Sequence, residues 1–77
     1  MADGQTPRSG RRGGIVSEFD DARGLGAVTE PDGSSWPFHC TAIAGGSRTI
    51  PVGTPVYFSL AAGYLGRWEA ADLRAGE

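Results

Sequence analysis

The chain has 77 residues, of which 39% are hydrophobic, and a formal net charge of −2. This length limits it to one small domain and excludes a multidomain architecture. Its single cysteine, Cys40, excludes an internal disulfide, and no apolar run is long enough for a signal peptide or a membrane span. We therefore expect a cytoplasmic protein that has no membrane partner.

The charge is distributed unevenly along the chain. Residues 1–13 are rich in Gly, Ser and Arg and carry a net charge of +2, whereas residues 14–77 carry −4. Because the first segment has so little to bury, we predict a disordered basic tail over 1–13 and a folded domain over 14–77. The tail is expected to increase solubility or to act as a non-specific anchor. The net negative charge of residues 14–77 by itself disfavours binding of polyanions.

From residue 14 onward, short apolar runs alternate with Gly, Pro, Asp and Ser, which is typical of strands and turns. Five runs are predicted as strands, at residues 15–19, 25–29, 36–40, 56–60 and 68–73, and a further apolar run lies at 49–52. The pair Asp32-Gly33 predicts a turn between the second and third strands. Val56, Phe58 and Leu60 alternate with polar or exposed positions, as one buried strand face requires.

The strand spacing predicts the fold class. Five short strands without a long helix indicate an all-β protein, a small antiparallel barrel or sandwich. The predicted core is Val16, Val28, Trp36, Phe38, Ile43, Ile50, Val56, Phe58 and Leu60.

Four motifs follow one another in a defined order. They read G-I-V-S-E-F-D-D-A-R-G-L-G-A-V-T, D-G-S-S-W-P-F-H-C-T-A-I, G-T-P-V-Y-F-S-L and G-R-W-E-A-A-D-L. Together they cover residues 14–73 and resemble the bacterial cold-shock domain family. The resemblance implies a five-stranded antiparallel OB-type barrel, which agrees with the strand count. It also implies binding of single-stranded RNA or DNA with weak sequence preference, because the family stacks bases on aromatic residues of its second and third strands.

The resemblance also implies a candidate nucleic-acid-binding face. Its residues are Phe19, Arg23, Gly24, Leu25, Gly26 and His39. Phe19 and His39 are the stacking residues kept at matched positions, and Arg23 is the basic residue expected to meet phosphate. Arg48 and Arg67 flank loops and are further candidates for phosphate contacts.

Most aromatic residues of the family pattern are replaced in this chain. The replacements are Glu18, Leu25, Ala27, Pro37 and Cys40. A base–aromatic stack is worth about 1–3 kcal/mol, so losing two or three independent stacks costs roughly 3–6 kcal/mol, or about two to four decades of affinity.

Each candidate also has a purely structural interpretation. Gly24 and Gly26 fit a bend or bulge that needs a flexible backbone, which is compatible with a binding role. Arg23 taken alone fits a solvated surface charge. His39 is expected to be exposed if Phe38 and Cys40 point inward.

Nothing in the sequence indicates an enzyme or a cofactor. Adjacent strand residues project to opposite faces, so His39 and Cys40 are not expected to form a nucleophile–base pair. One histidine and one cysteine make no metal site. The resemblance to cold-shock domains implies a nucleic-acid chaperone or expression regulator. The alternative is a protein-interaction module on the same barrel, favoured by Glu18 and the acidic body.

Overall fold

Five antiparallel strands make up a single sheet in the computed structural model, which describes residues 11–63 and 66–76. The strands are β1 (Arg12–Asp20), β2 (Leu25–Thr29), β3 (Ser35–His39), β4 (Pro55–Ala62) and β5 (Trp68–Ala75). Two short 3₁₀ turns, Cys40–Ala42 and Ala44–Gly46, follow β3. The strand order is β3-β2-β1-β4-β5, so the predicted all-β, five-stranded antiparallel class is confirmed.

The two edge strands of this sheet approach each other. β3 and β5 are in contact, and Ile43 forms an isolated parallel bridge with Leu73. No hydrogen-bonded ladder joins β3 to β5 within the described residues, so the sheet is not closed into a barrel by strand pairing.

Most of the predicted core is confirmed. Seven predicted residues are buried: Val16, Val28, Phe38, Ile43, Ile50, Val56 and Phe58. Trp36 and Leu60 are half-buried and pack against this cluster. Ala70 and Leu73 of β5 complete the core, and the sequence analysis missed them because β5 does not keep a regular alternation.

Four of the five strands have bounds other than those predicted: β1, β3, β4, which spans Pro55–Ala62, and β5, which spans Trp68–Ala75. β1 begins at Arg12, so the predicted tail ends too late, and residues 1–10 lie outside the described part of the chain. The apolar run 49–52 forms no strand, although Ile50 is buried from its loop. β3 ends at His39, and Cys40 belongs to the first 3₁₀ turn. The Asp32-Gly33 turn is confirmed: Gly33 has φ 95° and donates its N–H to the Glu30 carbonyl at 2.9 Å.

Two bulges set which side chains face the core. In β1, Val16 pairs with Val28 and Glu18 pairs with Ala27, so Ser17 is the extra residue. Tyr57 and Ser59 of β4 are two residues apart, whereas their β5 partners, Arg74 and Ala71, are three apart. β5 therefore has one extra residue between these pairs. An added residue shifts the inward–outward alternation of everything after it.

No helix in residues 11–63 and 66–76 is long and apolar enough to cross a membrane. The same residues hold no group of three Cys, His, Asp or Glu side chains that could share a metal ion.

Candidate nucleic-acid interface

Leu25 and His39 form a directly opposed pair on the outer face of β2 and β3. The flanking residue Gly26 pairs with the buried Phe38, so the alternation of both strands directs Leu25 and His39 outward. Leu25 is 46% exposed, and His39 is exposed. Directly opposed residues lie close enough for their side chains to touch, so an apolar surface and an imidazole lie side by side in solvent.

The imidazole of His39 is held by the turn that follows it. His39 caps the 3₁₀ turn Cys40–Ala42, and its Nδ1 accepts the N–H of Thr41 at 3.2 Å. Nδ1 also lies 3.1 Å from the Thr41 hydroxyl. A ring nitrogen that accepts an N–H carries no proton, so the neutral ring carries its proton at Nε2. The ring is therefore oriented, with an N–H donor on its other edge.

Phe19 does not share this face, which corrects the expectation that it stands beside Leu25 and His39. The Ser17 bulge shifts the alternation of β1, so Phe19 pairs with Gly26 on the inner face. Its ring stacks on Phe38 with centroids 6.0 Å apart and 13° between planes. Phe19 is half-buried against the core, and its accessible part lines a depression of about 300 Å³ together with Leu25.

The two glycines of the candidate site have structural reasons to be glycine. Gly24 is buried at φ 68°, and a Cβ there would lie 2.9 Å from Cys40 Sγ. A Cβ on Gly26 would lie 2.6 Å from Phe38 Cζ and 2.7 Å from the Glu18 carbonyl oxygen. Such contacts are too close for real side chains, so both glycines let neighbouring groups approach the backbone.

Arg23 lies in the turn between β1 and β2, at one end of the Leu25–His39 pair. Its side chain is 75% exposed, and its Nε is 3.8 Å from Asp20 Oδ2. Its backbone N–H donates to Asp20 Oδ1 at 3.2 Å. An ion pair this exposed is weak, so the guanidinium remains available to an anion.

Arg48, which the sequence suggested only as a further candidate for a phosphate contact, lines one groove together with Arg23. The groove has a volume of about 410 Å³, and both arginines line it together with Gly24 and Cys40. Arg48 is exposed and forms no ion pair with any residue in 11–63 or 66–76. It follows the glycine-rich 3₁₀ segment, whose conformation no periodic pattern predicts.

His39 and Cys40 are closer than expected. Cys40 Sγ lies 3.8 Å from His39 Nδ1, because β3 ends at His39 and the strand alternation no longer applies to Cys40. The expectation that the two side chains point apart was therefore wrong. Nδ1 already accepts the N–H of Thr41, and no carboxylate contacts the imidazole within the described residues. The absence of an enzymatic activity stays a prediction.

The outer face also carries acidic groups and small residues. Glu18 and Asp20 point outward on β1, opposite Ala27 and Leu25. Ala27 in turn pairs with Pro37, so the middle of the face is flat and has no aromatic ring. Arg23 and Arg48 supply positive charge at one end of this face, where Asp21 lines the same groove and Asp20 pairs with Arg23. Glu18 adds negative charge along β1.

No family model matches the chain, and no curated protein matches its sequence. The resemblance to cold-shock domains therefore rests on the four motifs alone.

Proposed function

We propose that the chain is a divergent cold-shock-type domain that binds single-stranded RNA or DNA with weak sequence preference. The observation that carries the proposal is the exposed Leu25–His39 pair, with Arg23 and Arg48 at its end. Single-strand binders combine cationic side chains, which contact phosphates, with flat surfaces on which bases stack. Among the described residues on this face, His39 supplies the aromatic ring, and Leu25 and Pro37 supply apolar contact.

The OB-type barrel is part of the same proposal. The strand order places β3 and β5 at the two edges, and these edges are in contact. The Ile43–Leu73 bridge lies beside that contact. Closure of the sheet at this contact would make a small barrel whose outer surface carries the binding face.

Direct titration tests the proposed face. A labelled pyrimidine-rich single strand is titrated with the protein at low and at moderate salt. Replacing both Leu25 and His39 by Ala is expected to weaken binding about tenfold, since one stack is worth about 1–3 kcal/mol. Val52→Ala is the control, because Val52 is 60% exposed in the loop before β4, outside both proposed contacts. Equal affinities of the double variant and the control protein would remove the site assignment.

Salt dependence tests the role of Arg48. Each phosphate contact to a single strand contributes about 0.7 to the slope of log affinity against log salt. Arg48→Ala is expected to lower that slope by about this amount, without changing the preference between bases. An unchanged slope would exclude Arg48 from the interface.

A second candidate function is a protein-interaction module for a basic partner. Glu18 and Asp20 on the outer face favour it, because they repel phosphates and attract cationic side chains. Glu18→Gln separates the two functions. Tighter oligonucleotide binding by this variant supports nucleic acid as the ligand, whereas weaker binding of an arginine-rich peptide supports the protein partner.

A further inference from the structure

Tyr57 is an exposed aromatic residue at the opposite end of β1 from the Leu25–His39 pair. It lies on β4 between the buried Val56 and Phe58, so its side chain points outward, and it is 52% exposed. Its strand partner on β1 is Gly13. Packing in the core therefore does not explain why an aromatic side chain lies at this position.

Glycines on both sides leave the ring uncovered. A Cβ on Gly13 would lie 3.7 Å from Tyr57 Cε1, and one on Gly76 would lie 3.0 Å from Cε2. The ring edges thus face two positions that have no side chain. No other aromatic ring and no guanidinium stacks on Tyr57 within residues 11–63 and 66–76. Tyr57 is 52% exposed, so about half of its surface is accessible to a flat ligand.

Two arginines accompany this ring. Arg74 is the β5 partner of Tyr57, and Arg11 donates to the Tyr57 carbonyl oxygen at 3.2 Å. Both arginines pair with Asp72. Arg74 Nε lies 3.2 Å from Asp72 Oδ1, and Arg11 Nη1 lies 2.7 Å from Asp72 Oδ2. One carboxylate between two guanidiniums leaves this cluster with a positive charge. Arg74 is 64% exposed, and its terminal nitrogens have no partner among the described residues.

We propose that Tyr57 and Arg74 form a second contact for single-stranded nucleic acid, in which a base stacks on the Tyr57 ring and a phosphate binds Arg74. This inference rests on the proposed function for the identity of its ligand, single-stranded nucleic acid. It assigns that ligand to a second, different surface of the domain. Stacking on an aromatic ring tolerates any base, and a guanidinium binds phosphate oxygens through two parallel N–H groups.

The separation of the two contacts predicts a dependence on ligand length. Gly13, beside Tyr57, and Asp20, beside Leu25, lie at opposite ends of β1, roughly 20 Å apart at the rise of an extended strand. Single-strand sites on OB-type folds cover about 4–16 nucleotides. An oligomer of about twelve nucleotides spans both contacts, whereas one of about four engages a single contact.

The test is an affinity measurement with thymidine oligomers of about four and about twelve nucleotides on the full chain. Tyr57→Ala is expected to weaken binding of the longer oligomer about tenfold, and Tyr57→Phe, which keeps the ring, is expected to change it less than about twofold. Thermal melting of each variant confirms that the fold persists. An abasic oligomer of the same length tests stacking, because it keeps the phosphates and lacks the bases.

Chemical-shift changes of backbone amides, measured by NMR spectroscopy, locate the contact directly. Titration with the longer thymidine oligomer is expected to shift the amide signals of Gly13, Tyr57, Arg74 and Gly76, and the abasic oligomer is expected to leave Tyr57 unshifted.

Shifts at Leu25 and His39 without shifts at Tyr57 overturn this inference and leave the proposed function intact. Shifts at Tyr57 alone support the inference and remove the Leu25–His39 face. An oligomer that shifts neither set overturns both, and equal shifts with the abasic oligomer overturn stacking on Tyr57.

Discussion

Phe19 stacks on Phe38 across Gly26, with the two ring centroids 6.0 Å apart. Phe38 is 2% exposed, so the outer ring of this pair covers the edge of the core. The close approach depends on Gly26, which has no side chain between the rings and the backbone. Phe19 therefore contributes to stability through its contact with Phe38, while its accessible part lines the depression beside Leu25.

Replacing Phe19 by Ala is expected to lower the free energy of unfolding by about 2–3 kcal/mol. Fully buried Phe→Ala substitutions cost about 3–5 kcal/mol, and Phe19 is only half-buried. Urea unfolding measures the loss, and Phe19→Leu, which keeps most of the apolar volume, should recover a large part of it. If the Phe19→Ala variant keeps its stability but binds the oligonucleotide more weakly, the Phe19 ring contacts the ligand directly.

Gly26→Ala is expected to cost about 1–3 kcal/mol, because its methyl group meets Phe38 and the Glu18 carbonyl at under 3 Å. Gly13→Ala is the matched control on β1, since its nearest atom would lie at 3.7 Å, an ordinary contact. Thermal melting compares the two. Equal melting temperatures would show that the packing around Gly26 relaxes freely.

Glu30 connects the start of β1 to Trp36, and its removal should destabilise the protein by about 1–3 kcal/mol. Its Oε2 accepts the Trp36 indole N–H at 2.6 Å and the Arg12 Nε–H at 2.7 Å. Oε1 also accepts from Arg12 Nη2 at 3.3 Å. The carboxylate is largely buried, so Glu30→Ala leaves three N–H donors without their acceptor. Trp36 fluorescence in a Trp68→Phe background should move to longer wavelength. The exposed Glu18→Ala serves as the control and should change neither quantity.

Asp72 is expected to make stability depend on acid pH. Hydrogen bonds from Arg74 and then Arg11 hold the pKa of this exposed carboxyl below its usual 3.8. A carboxyl whose pKa is lower in the folded state stabilises the fold at pH values above 3.8, and that contribution is lost as the pH falls through the folded-state pKa. Melting temperatures of the natural chain and Asp72→Asn should therefore converge at low pH.

Asn is the appropriate replacement for Asp72 because position 72 has φ 53°, a conformation that Asn tolerates. Asp21→Asn, in an exposed turn, is the control for the change of one charge. A difference between the natural chain and Asp72→Asn that stays constant from neutral pH to pH 3 would contradict the assignment of this stabilisation to the ion pairs.

The strands, the turn at Asp32-Gly33 and most of the core were predictable because their signals are local. Alternating apolar residues define a buried strand face, and a glycine after Asp fits a positive φ. The inward position of Phe19 also left a signal in the sequence. Val16 and Phe19 are an odd number of residues apart, so both can face the core only if the strand carries a bulge between them.

By itself, then, the sequence determined the all-β class, the strand count and the inward face of each regular strand, since these follow from side-chain alternation and turn chemistry. Only the tertiary structure decided which groups meet Phe19, Cys40, Arg48 and Tyr57. These contacts depend on the pairing of the bulged β1 with β2, the end of β3 at His39, a loop beside the β1–β2 turn, and glycines on β1 and just after β5. Each of these is set by partners distant in sequence, and no local pattern encodes such pairings.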